Sequence, residues 1–467
     1  MRVSRIAVVG LTMAVVAIPG LQGSLANAGA SAQHVRTPRT ALTRQGDFFP
    51  VSTPRVVPQL APTRNPNRPS PSAVTARPVL PAAPATAVVS QPFLQIAGRG
   101  FVYKGQSVFL RGVNINNESA LYLEQPTYND ANYSEAAGFA YAANSMPARI
   151  TEDDRDYARL AGWGVNLVRL GLDWHWFNGD PTTAARAWAY VDRTIASARR
   201  YHIWLIPVMY IPRGGGMDYQ YGTRFWGGQT SFNPSTMTIY MTSLRDFWKT
   251  FAARYGNEPA IVGYDLLNEP STPYVSQVWL PYASYLRNQI KTVDTAHFFV
   301  VESGPNAQFS ERLPLGSPIK YGDIVYSVHG YAPTAMTHAT TTTYAYPGNA
   351  PDWDATIRYW SASTLDTMMR IQGRLPINWA ASQNVPLLMG EWGSRKRTAG
   401  YVNYVSDNVG LMAAWNMSWA YFNYREFDPT RDFGVYNAPS GPSAGAVPDN
   451  NLIAALRVGF RTNVMAN

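Results

Sequence analysis

The 467-residue chain reads as an α/β protein, a (β/α)8 TIM barrel with long βα loop insertions. Three observations carry that expectation. Eight short apolar runs alternate with longer helical patterns between residues 91 and 467. The first run leads into Arg111-Gly112-Val113-Asn114 rather than a Gly-rich phosphate loop, which disfavours a doubly wound open sheet. Acidic, amide and aromatic residues gather just after the runs, at the end where barrel enzymes build their sites.

The elements follow in order. Phe93–Leu110 alternates and turns at Gly98-Arg99-Gly100 and Lys104-Gly105, like a small hairpin. Barrel strands are expected at 108–113, 166–170, 203–209, 261–267, 298–301, 324–328, 386–389 and 417–421, each short and apolar as a strand covered on both faces must be. Helical periodicity falls at 152–161, 184–200, 237–255, 275–293, 365–384 and 401–414. Long loops follow the first, third and sixth strands, at 118–147, 213–233 and 334–360.

Ahead of the barrel, residues 1–28 read as a signal peptide. Arg2 and Arg5 open it, a mostly apolar run extends from Ile6 to Leu21, and Ala26-Asn27-Ala28 has the small-x-small cleavage pattern. The run is short for a membrane span, which needs ~20 residues. The mature chain is therefore expected to be secreted or periplasmic. Residues 29–90 read as an extended Pro/Ala/Arg-rich linker, and 91–467 as the barrel domain.

The formal charge of +9 belongs to the N-terminal extension. Residues 1–30 carry two Arg and no acid (+2), and residues 31–90 carry seven Arg against Asp47 (+6), which leaves +1 for 91–467. A nucleic-acid partner is not expected; the basic linker is suited to an anionic surface instead. With no Cys, thiol catalysis, Cys-zinc sites and iron–sulfur clusters are excluded. The six His show no ligand spacing, so no metal and no organic cofactor are expected, and the chain is expected to be a monomer.

The strand ends give a census of candidates: Asn114 and Asn116, Arg169, Tyr210, Asn268-Glu269-Pro270, Glu302, His329-Gly330-Tyr331, Glu391-Trp392-Gly393, and Trp419 with Tyr421. Carboxylates among aromatic rings suit a sugar polymer. Asn-Glu-Pro occurs twice, at 257–259 and 268–270. The first copy precedes a strand and the second follows it, so topology points to Glu269 and leaves Glu258 as an exposed turn residue.

These motifs together resemble glycoside hydrolase family 5, the retaining β-glycanases of the cellulase clan. The resemblance is carried by Leu267-Asn268-Glu269-Pro270, Gly390-Glu391-Trp392-Gly393, Val328-His329-Gly330-Tyr331, Arg111-Gly112-Val113-Asn114 and Asn166-Leu167-Val168-Arg169-Leu170, in order and spacing over roughly residues 93–460. It implies a double displacement with Glu269 as acid/base and Glu391 as nucleophile. It further implies Arg169 and Tyr331 on Glu391, Asn268 on the sugar 2-hydroxyl, His329 beside Glu269, and Trp419 as a stacking face. Many members carry a His after the third strand. Here Tyr210 stands nearest, and Asn116 and Trp226 are further substrate-contact candidates, Trp174, Trp176 and Trp392 being alternatives to Trp226. The substrate expected is a β-linked polysaccharide, cleaved as by an endo-β-1,4-glucanase. An exo-β-1,3-glucanase, a β-mannanase and a non-catalytic polysaccharide-binding barrel stay open.

Overall fold

The computed structural model describes residues 93–116, 135, 138–140, 142–143, 154–214 and most of 222–463, apart from 273, 304–318, 320, 353–354, 371–375, 427–431, 438–446 and 462. The segments expected to be a signal peptide and a linker, and most of the loop after the first barrel strand, lie outside the described residues.

Three short antiparallel strands come first, β1 (Gln95–Ala97), β2 (Gly100–Tyr103) and β3 (Gln106–Val108). Eight parallel strands then close a barrel: β4 (Arg111–Ile115), β5 (Leu167–Asp173), β6 (Trp204–Ile211), β7 (Gly263–Asp265), β8 (Phe298–Glu302), β9 (Ile324–Gly330), β12 (Leu387–Trp392) and β13 (Ser418–Tyr421). All eight expected strands are present in the expected order. The hairpin β10 (Gly348–Pro351) and β11 (Ile357–Trp360) is inserted after β9.

The helices between strands include α1 (Asp154–Trp163), α2 (Trp174–Asn178), α3 (Pro181–Arg200), α4 (Gly222–Trp226), α5 (Ile239–Tyr255), α6 (Leu280–Ile290), α7 (Thr334–Thr337), α8 (Ala362–Arg370), α9 (Pro376–Gln383), α10 (Tyr401–Ala414) and α11 (Asn450–Phe460). Their starts are set by local chemistry. Asp180 accepts hydrogen bonds from the Thr182 and Thr183 N–H groups ahead of α3, Thr238 caps α5, and Asp449 caps α11. One expected helix, 275–293, changes character along its length. A π-helical turn at Val275–Trp279 precedes α6, where Pro281 brings no N–H to the helical ladder. Over 365–384 the described residues give α8 and α9, Pro376 being the first residue of the second, and 371–375 lie outside the described residues. Among the described residues no helix is long and apolar enough to cross a membrane.

Alternation along the strands separates two environments. Leu167, Trp204, Ile206, Val300, Leu388 and Ala420 face inward and pack with Phe101, Tyr103 and Val108 of the small sheet, plugging the N-terminal end of the barrel. Val113, Val168, Leu170, Met389 and Trp419 face outward, into the layer between strands and helices. Close strand approach explains Gly112: a Cβ there would lie 1.7 Å from the Leu167 carbonyl oxygen.

Glu258 lies on the N-terminal side, away from the polar interior, but it is buried rather than exposed. Its carboxylate pairs with Arg199 and accepts from the Ala260 N–H. The first Asn-Glu-Pro copy thus fastens a turn to α3.

Candidate active site

Above the apolar plug the inward positions turn polar. Asn114, Arg169, Asp265, Glu302, Ser327 and His329 are all fully buried there. Arg169 is the hub. Its Nε donates to Asp265 Oδ2 (2.9 Å), Nη1 to Asn114 Oδ1 (2.9 Å) and Glu391 Oε1 (2.7 Å), and Nη2 to Asn268 Oδ1 (2.9 Å) and Glu302 Oε1 (2.5 Å). A planar, permanently charged fork suits this many fixed acceptors better than an ammonium would. Burial pushes the Asp265 carboxyl well above the usual carboxylate range, with the Glu302 charge adding to it.

Glu391 reaches the interior through a bulge. In regular register with β9, Leu388 faces Ser327 and Met389 faces Val328, yet Glu391, not Gly390, pairs with His329. The extra residue shifts the parity of β12, so that Glu391 points inward instead of toward the helices. Gly390 is required at this point: a Cβ would lie 2.4 Å from Ser327 Oγ. Asn114 Nδ2 donates to the Gly390 carbonyl oxygen (2.9 Å) and pins the bulge. The second Glu391 oxygen accepts from the Tyr331 hydroxyl (3.0 Å).

Glu269 follows β7. Its backbone is left-handed, φ +45°, immediately before Pro270. A side-chain-bearing residue at such a φ costs about 1–3 kcal/mol, and the position before proline favours extended chain. The Glu269 N–H donates to Glu302 Oε2 (2.7 Å), while Oε1 of Glu269 meets His329 Nδ1 (2.8 Å). The Glu269 side chain keeps 21% exposure, against 3% for Glu391. Burial raises the Glu269 carboxyl above its ordinary value; the charges of Glu391 and Glu302 add to that and His329 opposes it.

His329 sits between three carboxyls, with Nδ1 also 3.6 Å from Glu391 and Nε2 3.4 Å from Glu302. Burial alone would lower its pKa, but Glu391, Glu302 and Glu269 outweigh burial and hold it well above the usual range, as an imidazolium. For Glu302 burial acts upward, and His329, Arg169 and the Glu269 N–H bring it below its ordinary value. Single ligand atoms of Glu269, His329 and Glu391 lie within 4.8 Å of one another. These are the donors a metal ion would use, but they are already engaged with each other, with Arg169 and with Tyr331.

Glu269, Glu391, Arg169, Asn268, His329 and Tyr331 are therefore gathered into one cluster. Tyr210 joins its rim, in an apolar group with Val208, Ile211, Tyr331, Phe422 and Phe433. The Tyr331 ring is packed by His338 (4.8 Å), Phe433 (5.9 Å) and Phe422 (6.3 Å). Asn116 is buried just beyond β4, two residues along from Asn114 and so on its inward parity.

Two sequence expectations are corrected. Trp419 is not a stacking face. Its neighbour Ala420 faces inward, so Trp419 faces outward, where it packs on Trp392 (5.3 Å) and Phe460 (5.1 Å) of α11. Phe422, three residues on and inward, is the aromatic that β13 delivers to the mouth. Trp226 is not in the cleft either. It is buried on Trp279 (6.1 Å) and Tyr282 (5.9 Å), because its short helix α4 folds against α6. Trp174, Trp176 and Trp392 are buried as well, Trp174 beneath Arg213.

Asp265 is the contributor that sequence reasoning passed over, and Glu302 and Asn114 take larger parts than their strand-end positions alone suggested. An acid inside a buried strand is itself a signal, since such a group needs a partner.

Paired carboxyls at the C-terminal mouth of a (β/α)8 barrel, with a guanidinium on one and an imidazolium on the other, define a glycosidase-type site. The family model for cellulase (glycosyl hydrolase family 5) matches residues 130–428. The chain belongs to glycosyl hydrolase family 5 and is a glycosidase. It is 23% identical over 321 residues to Endoglucanase C of Acetivibrio thermocellus, covering 63% of this chain and 88% of that one. It is 24% identical over 352 residues to an endoglucanase of Paenibacillus polymyxa, covering 66% and 79%. The crystal structure of endoglucanase Cel5A from Thermotoga maritima superposes with a TM-score of 0.52 at 18% identity, covering 74% of this chain and 96% of that one. This likeness establishes the shared fold.

Proposed function

We propose that the chain is an exported endo-β-1,4-glucanase working by retaining double displacement. The observation that carries this reading is the facing pair Glu269 and Glu391, whose nearest oxygens lie within 4.8 Å. Retaining enzymes hold their carboxyls ~5–5.5 Å apart, and inverting ones leave room for a water, ~6.5–9.5 Å. The two relatives named as endoglucanases support the glucan over other β-linked polymers.

In this mechanism Glu391 attacks the anomeric carbon while Glu269 gives its proton to the departing glycosidic oxygen. Glu269 then takes a proton from water, which attacks the same carbon and releases Glu391. Tyr331 and Arg169 fix the two Glu391 oxygens along the line of attack. Asn268 Oδ1 is held by Arg169 and its Nδ2 has no hydrogen-bond partner among the described residues, which leaves that donor for a sugar hydroxyl. Export is supported by the N-terminal pattern, and a mature chain starting near Gly29 is the expected result of N-terminal sequencing; retention of residues 1–28 would contradict it.

Product analysis on soluble β-glucans and mannans, run beside Glu391→Ala, tests the function. Mid-chain cleavage of a β-1,4-glucan by the wild type alone is expected. Release of single end units, or cleavage of mannan only, would replace the endoglucanase assignment, and binding without cleavage would remove it.

Glu269→Ala should lower turnover of polymer by about 10²–10⁴-fold, while its first turnover of 2,4-dinitrophenyl β-cellobioside falls far less, because that leaving group departs without a proton. The acid must be protonated to work, so wild-type polymer cleavage is lost as pH rises through the raised Glu269 value. With the dinitrophenyl substrate this alkaline limb should vanish from the first turnover. Equal losses on both substrates would remove Glu269 from the acid role.

A further inference from the structure

We infer that Glu302 is a positioning residue for the reaction: its buried carboxylate holds the left-handed Glu269 peptide and ties it to Arg169, so that one anchor places the acid/base relative to the nucleophile. The inference rests on the acid/base assignment of Glu269 made above.

Glu302 ends β8 and is itself immobilised. Trp279 Nε1 donates to its carbonyl oxygen (2.8 Å), and the side chain is fully buried. Each carboxylate oxygen has a separate duty. Oε1 accepts from Arg169 Nη2 (2.5 Å), on the same guanidinium that holds Glu391 Oε1 (2.7 Å). Oε2 accepts from the Glu269 N–H (2.7 Å) and lies 3.4 Å from His329 Nε2. The chain Glu269 peptide, Glu302, Arg169, Glu391 therefore runs through hydrogen bonds alone.

The Glu269 backbone needs such a hold. A non-glycine residue at φ +45° before a proline persists only where its surroundings fix it. Carboxylate is the one side-chain group of this size that offers acceptors alone on both oxygens. An amide of the same shape would turn an NH2 toward either Arg169 or the Glu269 N–H, and one of those contacts would become donor against donor. The Glu269 carboxyl would then shift away from the leaving oxygen. Displacements of this kind cost turnover rather than binding.

The test is Glu302→Gln in the full chain, with thermal unfolding confirming that the variant is folded. Carboxymethyl cellulose and 2,4-dinitrophenyl β-cellobioside are the probes, the latter followed in its first turnover. Turnover of the polymer should fall on the order of 10²-fold with little change in KM, and the dinitrophenyl burst rate only by a few-fold. Trp279→Phe, which loses the hydrogen bond to the Glu302 carbonyl but keeps an aromatic ring, should show the same selectivity in weaker form. An unchanged polymer rate, or equal losses on both probes in both variants, would overturn the inference. Glu269→Ala measured alongside keeps the two assignments apart. If it fails to discriminate between the probes, the acid/base assignment falls; if it discriminates and Glu302→Gln does not, only the role of Glu302 falls.

Discussion

Glu391→Ala is expected to lower kcat on the order of 10⁵-fold, about 7 kcal/mol of lost transition-state stabilisation. In the proposed double displacement no other group can replace the covalent bond that this carboxylate would form. Both of its oxygens are held by donors, Arg169 Nη1 at 2.7 Å and the Tyr331 hydroxyl at 3.0 Å, so the truncated side chain leaves a small anion-sized space lined by the same donors. Azide added to the variant should therefore restore part of the rate with an activated substrate and give a product of α configuration, since it attacks from the side vacated by Glu391. With Glu269→Ala, azide should instead give the β-glycosyl azide, formed from the intact glycosyl-enzyme. Kinetics on the dinitrophenyl substrate and NMR of the products read both outcomes. A Glu391→Ala variant retaining a tenth of wild-type turnover would contradict the assignment.

Arg169 should give the second largest effect, and on stability as well as rate. It is fully buried among Asp265, Glu302 and Glu391. Arg169→Met removes the cation and leaves the buried Glu302 and Glu391 without the guanidinium that they share. Breaking a buried ion pair from one side costs about 3–5 kcal/mol. Arg169→Lys keeps the charge but cannot satisfy Asn114, Asp265, Asn268, Glu302 and Glu391 at once, so it should recover more stability than activity. Denaturant midpoints and kcat for the two variants check this. Equal stability of Arg169→Met and the wild type would mean that the interior charges are neutralised in another way.

The barrel was legible because a parallel strand buried on both faces has a conspicuous pattern. Short apolar runs such as Phe298–Val301 and Ile324–Val328 stand out from the helical stretches around them. The catalytic end was legible because Glu269, His329, Tyr331 and Glu391 all sit just beyond such runs. Which way a residue faces was harder. Trp419 and Ala420 are adjacent, and only the inward packing of Ala420 on the apolar plug shows that Trp419 must turn out. Strict alternation would also misplace Glu391: the bulge at Gly390 reverses its parity, and Asn114 and Ser327, distant in sequence, explain why glycine stands there. Aromatic richness was a poor guide to the cleft, since Trp174, Trp176, Trp226 and Trp392 all fill the layer beneath the helices or loops. The part of Glu302 depends on an N–H whose left-handed backbone has no sequence signature beyond the proline that follows it.

The central claim is that Glu391 becomes covalently bonded to the sugar. Incubation with 2,4-dinitrophenyl 2-deoxy-2-fluoro-β-cellobioside tests it most directly, because the fluorine slows hydrolysis of the glycosyl-enzyme and lets it accumulate. Mass spectrometry of the digested protein should find one fluorocellobiosyl group per chain, on the peptide that carries Glu391. A label on any other residue, or dinitrophenolate released with inversion at the anomeric carbon and no label, would contradict the double displacement.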